Sequence, residues 1–263
     1  MDSSQGAITA VNLRVPTLEQ LEPFYRNLLG MQYRKCAGDS LSFAFDESRC
    51  RINFKQSNVT EFVERRNGFY WKIGITVKNL DVAVAWLRQQ GVGVSPPRQF
   101  LDIGYLCHLQ DPCGFAIELL QQGFEGREQP VAGGHPLGAQ ATLAHITLRV
   151  TDIHRAQQYL VSQLGMRLMS VQMVGDYNFC LYFYTWSDEA LPHADVESVA
   201  NREWLWARPY SLIELQHLLS PGAVIHRSTT AEAGFEGVHC KQGSGAEVLL
   251  TLDELTGDSG CNS

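Results

Sequence analysis

The sequence repeats one order of elements, and this repeat restricts the fold more than any other feature. Residues 7–15 alternate apolar and polar side chains, as a half-buried strand does. A helical spacing of apolar residues follows and ends at Gly30, the expected position of a C-terminal cap. Strand patterns come next at residues 32–34, 40–45 and 51–55. This part of the chain therefore predicts a unit of order β-α-β-β-β.

The same order returns further along the chain. A second copy has strand patterns at residues 69–77, 106–110 and 115–120, with a helix pattern at residues 80–90. A third copy spans residues 143–217 and repeats two short motifs of the first. The motif pairs are Leu13-Arg14-Val15 with Leu148-Arg149-Val150, and Leu29-Gly30-Met31 with Leu164-Gly165-Met166. The chain is therefore expected to consist of tandem modules.

The residues after Pro221 contain only strand patterns, at 224–227, 235–241 and 247–252. We interpret them as a fourth module that has lost its helix. Tandem modules of this kind predict an α+β fold with a truncated last module.

Glycine and proline are frequent in residues 126–142, which indicates a linker between two halves. We therefore predict an N-terminal domain at residues 1–125 and a C-terminal domain at residues 143–255. The small polar residues 256–263 predict a disordered tail.

Composition excludes several classes of protein. A net charge of −7 and the absence of a lysine or arginine cluster argue against a nucleic-acid partner. No apolar run reaches the roughly 20 residues that cross a bilayer, and the first residues do not form a signal peptide. The seven cysteines show no CxxC spacing, which favours free thiols in the cytoplasm.

The modules resemble the vicinal-oxygen-chelate superfamily, which includes glyoxalase I, the extradiol dioxygenases and the bleomycin- and fosfomycin-resistance proteins. The third module resembles glyoxalase I (lactoylglutathione lyase) most closely, and a long insertion at residues 185–208 falls where glyoxalase I carries one. The matching pieces are His145–Val150, Leu164-Gly165-Met166, Leu181-Tyr182-Phe183 and Leu212–His217. The resemblance implies two curled mixed sheets, each built from a pair of modules, with a divalent metal on the concave face.

The resemblance also implies that the metal ligands come from the first and last strand of each module. By this matching, His145 and Glu214 are the ligands of the third module. In the second module Glu118 fills the last-strand position, but Lys72 stands where a histidine is expected, and in the first module Ala10 has no donor. Since a protonated lysine cannot bind a metal, a site built from these two modules is expected to be inactive. A Lys72–Glu118 ion pair in place of the metal is the alternative.

Two arrangements of a functional metal site remain open. In the favoured one, the third module pairs with the fourth and gives His145, Glu214 and Glu247, with His239 as a further ligand. It is favoured because consecutive strands are usually neighbours in space. In the other, the third module pairs with the second and Glu118 replaces Glu247.

One arginine matches a substrate-binding residue of glyoxalase I. Arg149 stands where an arginine grips the glutamyl carboxylate of glutathione, although Leu218 replaces the companion asparagine. Arg14 occupies the equivalent position in the first module, so Arg149 is equally open to a structural role. His108 is expected to be an ordinary surface or core residue.

The resemblance implies a metal-dependent lyase or isomerase that acts on a small oxygen-chelating substrate, with a glutathione adduct among the candidates. The metal, zinc or nickel with iron and manganese as alternatives, would polarise a carbonyl while Glu247 acts as the base. A non-haem iron dioxygenase using His145, His239 and Glu247 is a second hypothesis. A binding protein without turnover is the third. A homodimer is expected in each case.

Overall fold

The computed structural model describes residues 5–36, 38–47, 49–132, 134–137 and 140–256. Two mixed β-sheets form the molecule, and short helices pack against them. The predicted α+β fold of two sheets is confirmed, and the last module is the reduced one. Residues 257–263, which belong to the predicted tail, lie outside the described residues.

The first sheet has six strands. They are β1 (Ala7–Val15), β2 (Gln32–Lys35), β3 (Ser40–Ala44), β4 (Arg51–Gln56), β13 (Gly234–Lys241) and β14 (Glu247–Leu250). Their order across the sheet is β14-β13-β1-β4-β3-β2. The C-terminal strands therefore complete a sheet that the N-terminal strands begin.

The second sheet has eight strands. They are β5 (Tyr70–Val77), β6 (Arg98–Phe100), β7 (Gly104–Gln110), β8 (Ala116–Gln121), β9 (Thr142–Val150), β10 (Arg167–Val174), β11 (Phe179–Thr185) and β12 (Leu212–Leu218). The order is β10-β11-β12-β9-β5-β8-β7-β6, so β5 and β9 lie at its centre. Every residue of β9 is buried, as expected of a strand covered on both faces.

The helices are short. They are α1 (Leu80–Gln89), α2 (Ile153–Gln158), α3 (Val199–Trp206) and α4 (Leu252–Thr256), with π-helical turns at Pro23–Leu28 and Tyr159–Gln163 and a 3₁₀ turn at Gly175–Tyr177. In α1, the side chain of Asn79 accepts a hydrogen bond from the Val82 amide at the N-terminus. Gly91 follows the helix with φ +81°, a conformation that glycine adopts without steric cost. No helix in the described part of the chain is long and apolar enough to cross a membrane.

The pairing of modules differs from the favoured prediction. Strand β1 of the first module pairs antiparallel with β13 of the fourth, and β5 of the second pairs antiparallel with β9 of the third. The third module therefore does not pair with the fourth. Both β5 and β9 are almost wholly buried and each needs partners on both sides, which they find in each other and in the last strands of their own modules.

One hydrophobic core contains side chains from both sheets, among them Val11 and Phe54 from the first and Ile73 and Ile146 from the second. The halves predicted at residues 1–125 and 143–255 thus exchange strands and share a core. The predicted strand at residues 224–227 is not a regular strand, and β6 and β10 were not predicted.

Candidate functional site

A row of side chains crosses the centre of the eight-stranded sheet. His108 on β7 is paired with Glu118 on β8, Glu118 with Gly74 on β5, and Gly74 with His145 on β9. Directly paired residues project from the same face of a sheet, so these groups meet on one side. Glu214 on β12 approaches the same point from the other flank of β9. The second arrangement considered from sequence, third module with second, is therefore the one that forms.

Gly74 is the gap in this row, and the gap is filled by the His145 ring. A Cβ atom placed on Gly74 would lie 1.9 Å from Cε1 and 2.2 Å from Nε2 of His145. No side chain fits at that distance, so only glycine lets the imidazole cross over β5 toward Glu118.

The charged groups of the row lie in contact. His145 Nε2 is 3.3 Å from Glu118 Oε1 and 3.4 Å from Glu214 Oε2. The Lys72 ammonium forms an ion pair with Glu118 Oε2, and His108 Nε2 lies 2.9 Å from the same oxygen. The predicted Lys72–Glu118 ion pair is thus present. We call these five residues, Lys72, His108, Glu118, His145 and Glu214, the floor cluster.

Burial makes this cluster electrostatically strong. Lys72, Glu118 and Glu214 are at most 4% exposed, and His145 is completely buried. Burial alone raises the pKa of Glu118, but the Lys72 ammonium and the adjacent His108 and His145 rings outweigh it and hold that pKa well below its usual range. Glu118 is therefore an ionised partner of Lys72 and is not available as a base.

Four buried atoms of the cluster have no hydrogen-bond partner among the described residues. They are Glu214 Oε1, His145 Nδ1 and the Nε2 atoms of His145 and His108, whose contacts with the carboxylates are close but not aligned as hydrogen bonds. A buried acceptor such as Glu214 Oε1 without a partner is costly, and in a site it is a point where a ligand group can bind.

The residues present do not fit the divalent metal that the resemblance implies. The position that would supply a first-strand ligand carries the Lys72 ammonium, which has no lone pair to donate. A divalent ion about 4 Å from this ammonium would meet a repulsion of about 8 kcal/mol at an effective dielectric constant of 20. That repulsion would weaken binding by roughly five to six powers of ten. Consistently, no group of three or more His, Cys, Asp or Glu side chains in the described residues is arranged to hold a metal ion.

Two predicted ligands lie elsewhere. His239 is on β13 and Glu247 on β14, both in the six-stranded sheet, where His239 is paired with Ala10 and Glu247 with Lys241. Glu247 is exposed on an edge strand, and the ion pairs of His145 within the described residues are with Glu118 and Glu214. The predicted set of His145, Glu214, Glu247 and His239 does not assemble, because the modules that carry them belong to different sheets.

A pocket of about 640 Å³ lies above the floor cluster. Glu118, Glu214, Lys72 and His108 form its base, whereas His145 lies beneath the base. Apolar side chains form much of the wall. They are Trp71, Phe100, Ile103, Leu106, Tyr177, Phe179, Leu181 and Leu218. A volume of this size and an apolar wall are typical of a small-molecule site.

The pocket is cationic although the whole protein is acidic. Three arginines, Arg66, Arg98 and Arg149, line it together with Lys72, while Glu118 and Glu214 are the only acidic residues among the described residues of its lining. Arg66 and Arg98 are exposed at the pocket, and neither forms an ion pair within the described part of the chain. With a net charge of −7 on the protein, this local excess of positive charge indicates an anionic ligand.

Arg149 lies in the pocket wall but is already engaged. Its Nε donates to Gln216 Oε1 at 2.7 Å, and its Nη1 donates to the carbonyl oxygens of Gly68 and Arg65. Burial lowers the pKa of Arg149 to about 10. The guanidinium therefore fixes the loop before β5, and only Nη2 remains for a ligand. The role of Arg149 in binding a glutamyl carboxylate stays a prediction.

The insertion at residues 185–208 is ordered and supports the site from below. Trp206 at the end of α3 is fully buried, and its indole N–H donates to Ile103 O at 2.7 Å. Its ring lies 5.8 Å from the His145 ring and 5.4 Å from the Phe183 ring. Trp206 therefore packs beside the imidazole and restricts its movement.

Four pocket residues were not recognised from sequence. His108, expected to be an ordinary residue, contacts Glu118, and Trp71 lies under the Lys72 and Arg149 cations at 4.4 and 4.6 Å. Arg66 and Arg98 come from a loop and an unpredicted strand. None of them had a local signal: alternation would place Trp71 on the face opposite Lys72, and the strand is irregular between Tyr70 and Lys72.

Comparison with known proteins supports the fold. Residues 7–119 match the model of the Glyoxalase/Bleomycin resistance protein/Dioxygenase superfamily. This match covers the first two modules, and the third lies outside it. No curated protein sequence matches the chain.

Solved structures show the same fold at low sequence identity. Glyoxalase I from Zea mays is 15% identical, with a TM-score of 0.63 over 90% of this chain and 74% of that one. A candidate dioxygenase from Bacillus subtilis subsp. subtilis strain 168 is 14% identical, with a TM-score of 0.56 over 88% of this chain and 68% of that one. At these identities the likeness concerns the fold, and it confirms the predicted architecture.

Proposed function

We propose that the chain, whose residues 7–119 match the model of the Glyoxalase/Bleomycin resistance protein/Dioxygenase superfamily, binds a small organic anion above the floor cluster. One observation carries the proposal: in an acidic protein, the large pocket on the glyoxalase-like sheet is lined by four cationic side chains and an apolar wall. Such a lining suits a ligand with a carboxylate or phosphate at one end and an apolar part at the other.

The floor cluster supports proton transfer next to a carbonyl group, the reaction type of a lyase or isomerase. Glu214 Oε1 is buried, lines the pocket and lacks a partner, so it is the base in this proposal. Lys72 is the group that stabilises the negative charge on the carbonyl oxygen. A carbon-bound proton of a hydroxycarbonyl ligand moves to Glu214 and then to the adjacent carbon. The hydroxyl proton moves to the former carbonyl oxygen, so atoms and charge balance without an oxidant.

Anion binding is tested by titration of the protein with short-chain and aromatic carboxylates, followed by tryptophan fluorescence because Trp71 lines the pocket. We expect carboxylates to bind at least about 10-fold more tightly than their amides. The neutral amide lacks one charge interaction with the pocket, worth about 1.4 kcal/mol or more. Arg98→Gln should reduce this preference, whereas Arg155→Gln, an exposed arginine on α2, should not. Equal binding of amides and acids would contradict the proposal.

Turnover is tested with the hemithioacetal of methylglyoxal and glutathione, with a chelator present. Transfer of the carbon-bound proton is followed by NMR in deuterated water. Glu214→Gln should lower the rate at least about 100-fold, since it removes the base. Glu247→Gln, an exposed glutamate in the other sheet, should leave the rate unchanged. A Glu214→Gln protein with the full rate would exclude Glu214 as the base.

Binding without turnover is the second candidate, and the Lys72–Glu118 ion pair favours it because this pair neutralises two of the floor charges. Tight carboxylate binding, with no proton exchange in any hydroxycarbonyl compound, would favour this binding role over catalysis. The oxygenase hypothesis has no such support, since His239 and Glu247 lie in the other sheet.

A cytoplasmic location and a homodimer remain part of the proposal. The six cysteines in the described part of the chain are free thiols, in keeping with a reducing compartment. Light scattering of the purified protein checks the dimer.

A further inference from the structure

A positively charged side chain stands at the first-strand ligand position of the second module. Lys72 lies on β5, the first strand of the second module, and is 4% exposed. Its ammonium contacts Glu118 Oε2 and lies 4.4 Å from the centre of the Trp71 ring. Carboxylate, π-face and pocket therefore surround one fixed positive charge.

The imidazole of the floor cluster lies close to both of its carboxylates. His145 Nε2 is 3.3 Å from one carboxylate oxygen and 3.4 Å from another. Two ligands of a tetrahedral ion, each about 2.0–2.1 Å from the metal, are separated by roughly 3.3–3.4 Å. His145 Nε2 thus lies at ligand spacing from each of the two carboxylates, and the first-strand position that would supply a further donor carries the Lys72 ammonium.

We propose that the Lys72 ammonium replaces the metal as the resident cation of this site, and that Lys72 alone keeps a divalent ion out. This inference rests on the proposed function, in which the same ammonium stabilises the ligand oxygen. It predicts that one substitution converts the floor cluster into a metal site. Lys72→His supplies a fourth donor beside Glu118, His145 and Glu214 and removes the repelling charge at the same time.

The experiment is a titration with cobalt(II), whose visible absorption reports a protein-bound ion. The Lys72→His protein should bind one equivalent at least about 1,000-fold more tightly than the wild type, given the size of the repulsion removed. Adding His145→Ala to Lys72→His should reverse most of this gain. Lys78→His, the same substitution beyond the end of β5 at a residue that bonds Gln129, should bind no more cobalt than wild type.

Lys72→Gln is a second test variant, for use if the Lys72→His protein does not fold. Glutamine is neutral, similar in length to lysine and has an oxygen donor. Folding is checked by circular dichroism. Wild-type protein that binds one equivalent of cobalt as tightly as the variants would overturn the inference. Folded Lys72→His and Lys72→Gln proteins that bind no cobalt would also overturn it. Neither result bears on carboxylate binding, which is measured separately with Arg98→Gln.

Discussion

At the residue scale, the site depends on an absent side chain as much as on those present. The His145 ring occupies the volume in which a Cβ atom of Gly74 would lie. The Trp206 ring packs beside it, with the ring centres 5.8 Å apart. The imidazole therefore has one position, and that position brings it to both carboxylates.

Gly74→Ala is predicted to displace His145 and to lower the free energy of unfolding by about 1–3 kcal/mol, the usual cost of overpacking a core. Urea denaturation measures the change. Gly93→Ala is the matched control, because nothing lies within 4 Å of a Cβ atom at that exposed position. A Gly74→Ala protein as stable as Gly93→Ala would show that the ring is not confined in this way.

Glu118→Gln is predicted to remove a pH-dependent part of the stability. Because the pKa of Glu118 is lowered by folding, its contribution is complete above the unfolded pKa of about 4.3 and is lost as pH falls through the folded value. At pH 7 the variant should be about 3–5 kcal/mol less stable, since a buried Lys72 loses its partner. The difference from wild type should shrink steadily as pH falls below about 4.3.

Denaturation curves at several pH values measure this difference. Glu236→Gln is the comparison, because Glu236 pairs with Arg14 in a partly exposed ion pair that should contribute about 1 kcal/mol or less. A constant difference between wild type and Glu118→Gln across acid pH would contradict the assignment.

At the element scale, alternation along the chain is enough to predict most strands but not which strands pair. The alternation of residues 143–150 predicts a strand with His145 on the side of the cluster, and this agrees with the observed strand β9. The choice of β5 as the partner of β9 depends on contacts between distant residues, which a local pattern does not contain. For the same reason Glu118 was placed correctly on its strand, yet Glu247 was preferred as the partner of His145.

Site residues that are brought together only by the register of the strands or by the path of a loop could not be predicted from the sequence. His108 is paired with Glu118 across two strands, and only that register brings its ring to the carboxylate. Arg66 and Arg98 are far apart in sequence and approach one pocket from a loop and from edge strand β6. By contrast, the Lys72–Glu118 ion pair was predictable, because both residues occupy matching positions of one repeated module.

The insertion that carries α3 is expected to be a structural support of the site. Trp206→Phe removes the donor to Ile103 O and should cost about 1–3 kcal/mol, because a buried carbonyl loses its partner. Trp204→Phe should cost about 0.5 kcal/mol or less, since Trp204 is half-buried and its ring mainly contacts Arg208. Thermal unfolding of both variants measures the contrast, and equal losses would contradict the supporting role of Trp206.

At the scale of the whole molecule, the two halves of the chain complete each other. The sheet begun by residues 7–56 gains β13 and β14, and the second module gains β9 as the neighbour of β5. Neither half has all the strands of either sheet. The sequence repeat identified the modules, but the exchange between halves follows from pairing of exposed strand edges and from the shared core.

A fragment of residues 1–125 is therefore predicted not to fold alone, since β1 and β5 would each lack a neighbour. Expressed by itself it should aggregate or unfold without a cooperative transition. Co-expressed with residues 126–263 it should be recovered as a complex. A soluble, cooperatively unfolding 1–125 monomer would support separate domains and contradict the observed pairing.

The central claim is that the Lys72 ammonium, paired with Glu118, takes the place of a metal ion in the floor cluster. Anomalous X-ray diffraction at the zinc edge, from crystals of wild-type protein soaked in zinc chloride, tests it most directly. The expected map shows no anomalous peak within about 2.3 Å of His145 Nε2, a bonding distance for zinc, and the Lys72 side chain remains against Glu118. A zinc ion bound by His145, Glu118 and Glu214, with Lys72 turned away, would contradict it.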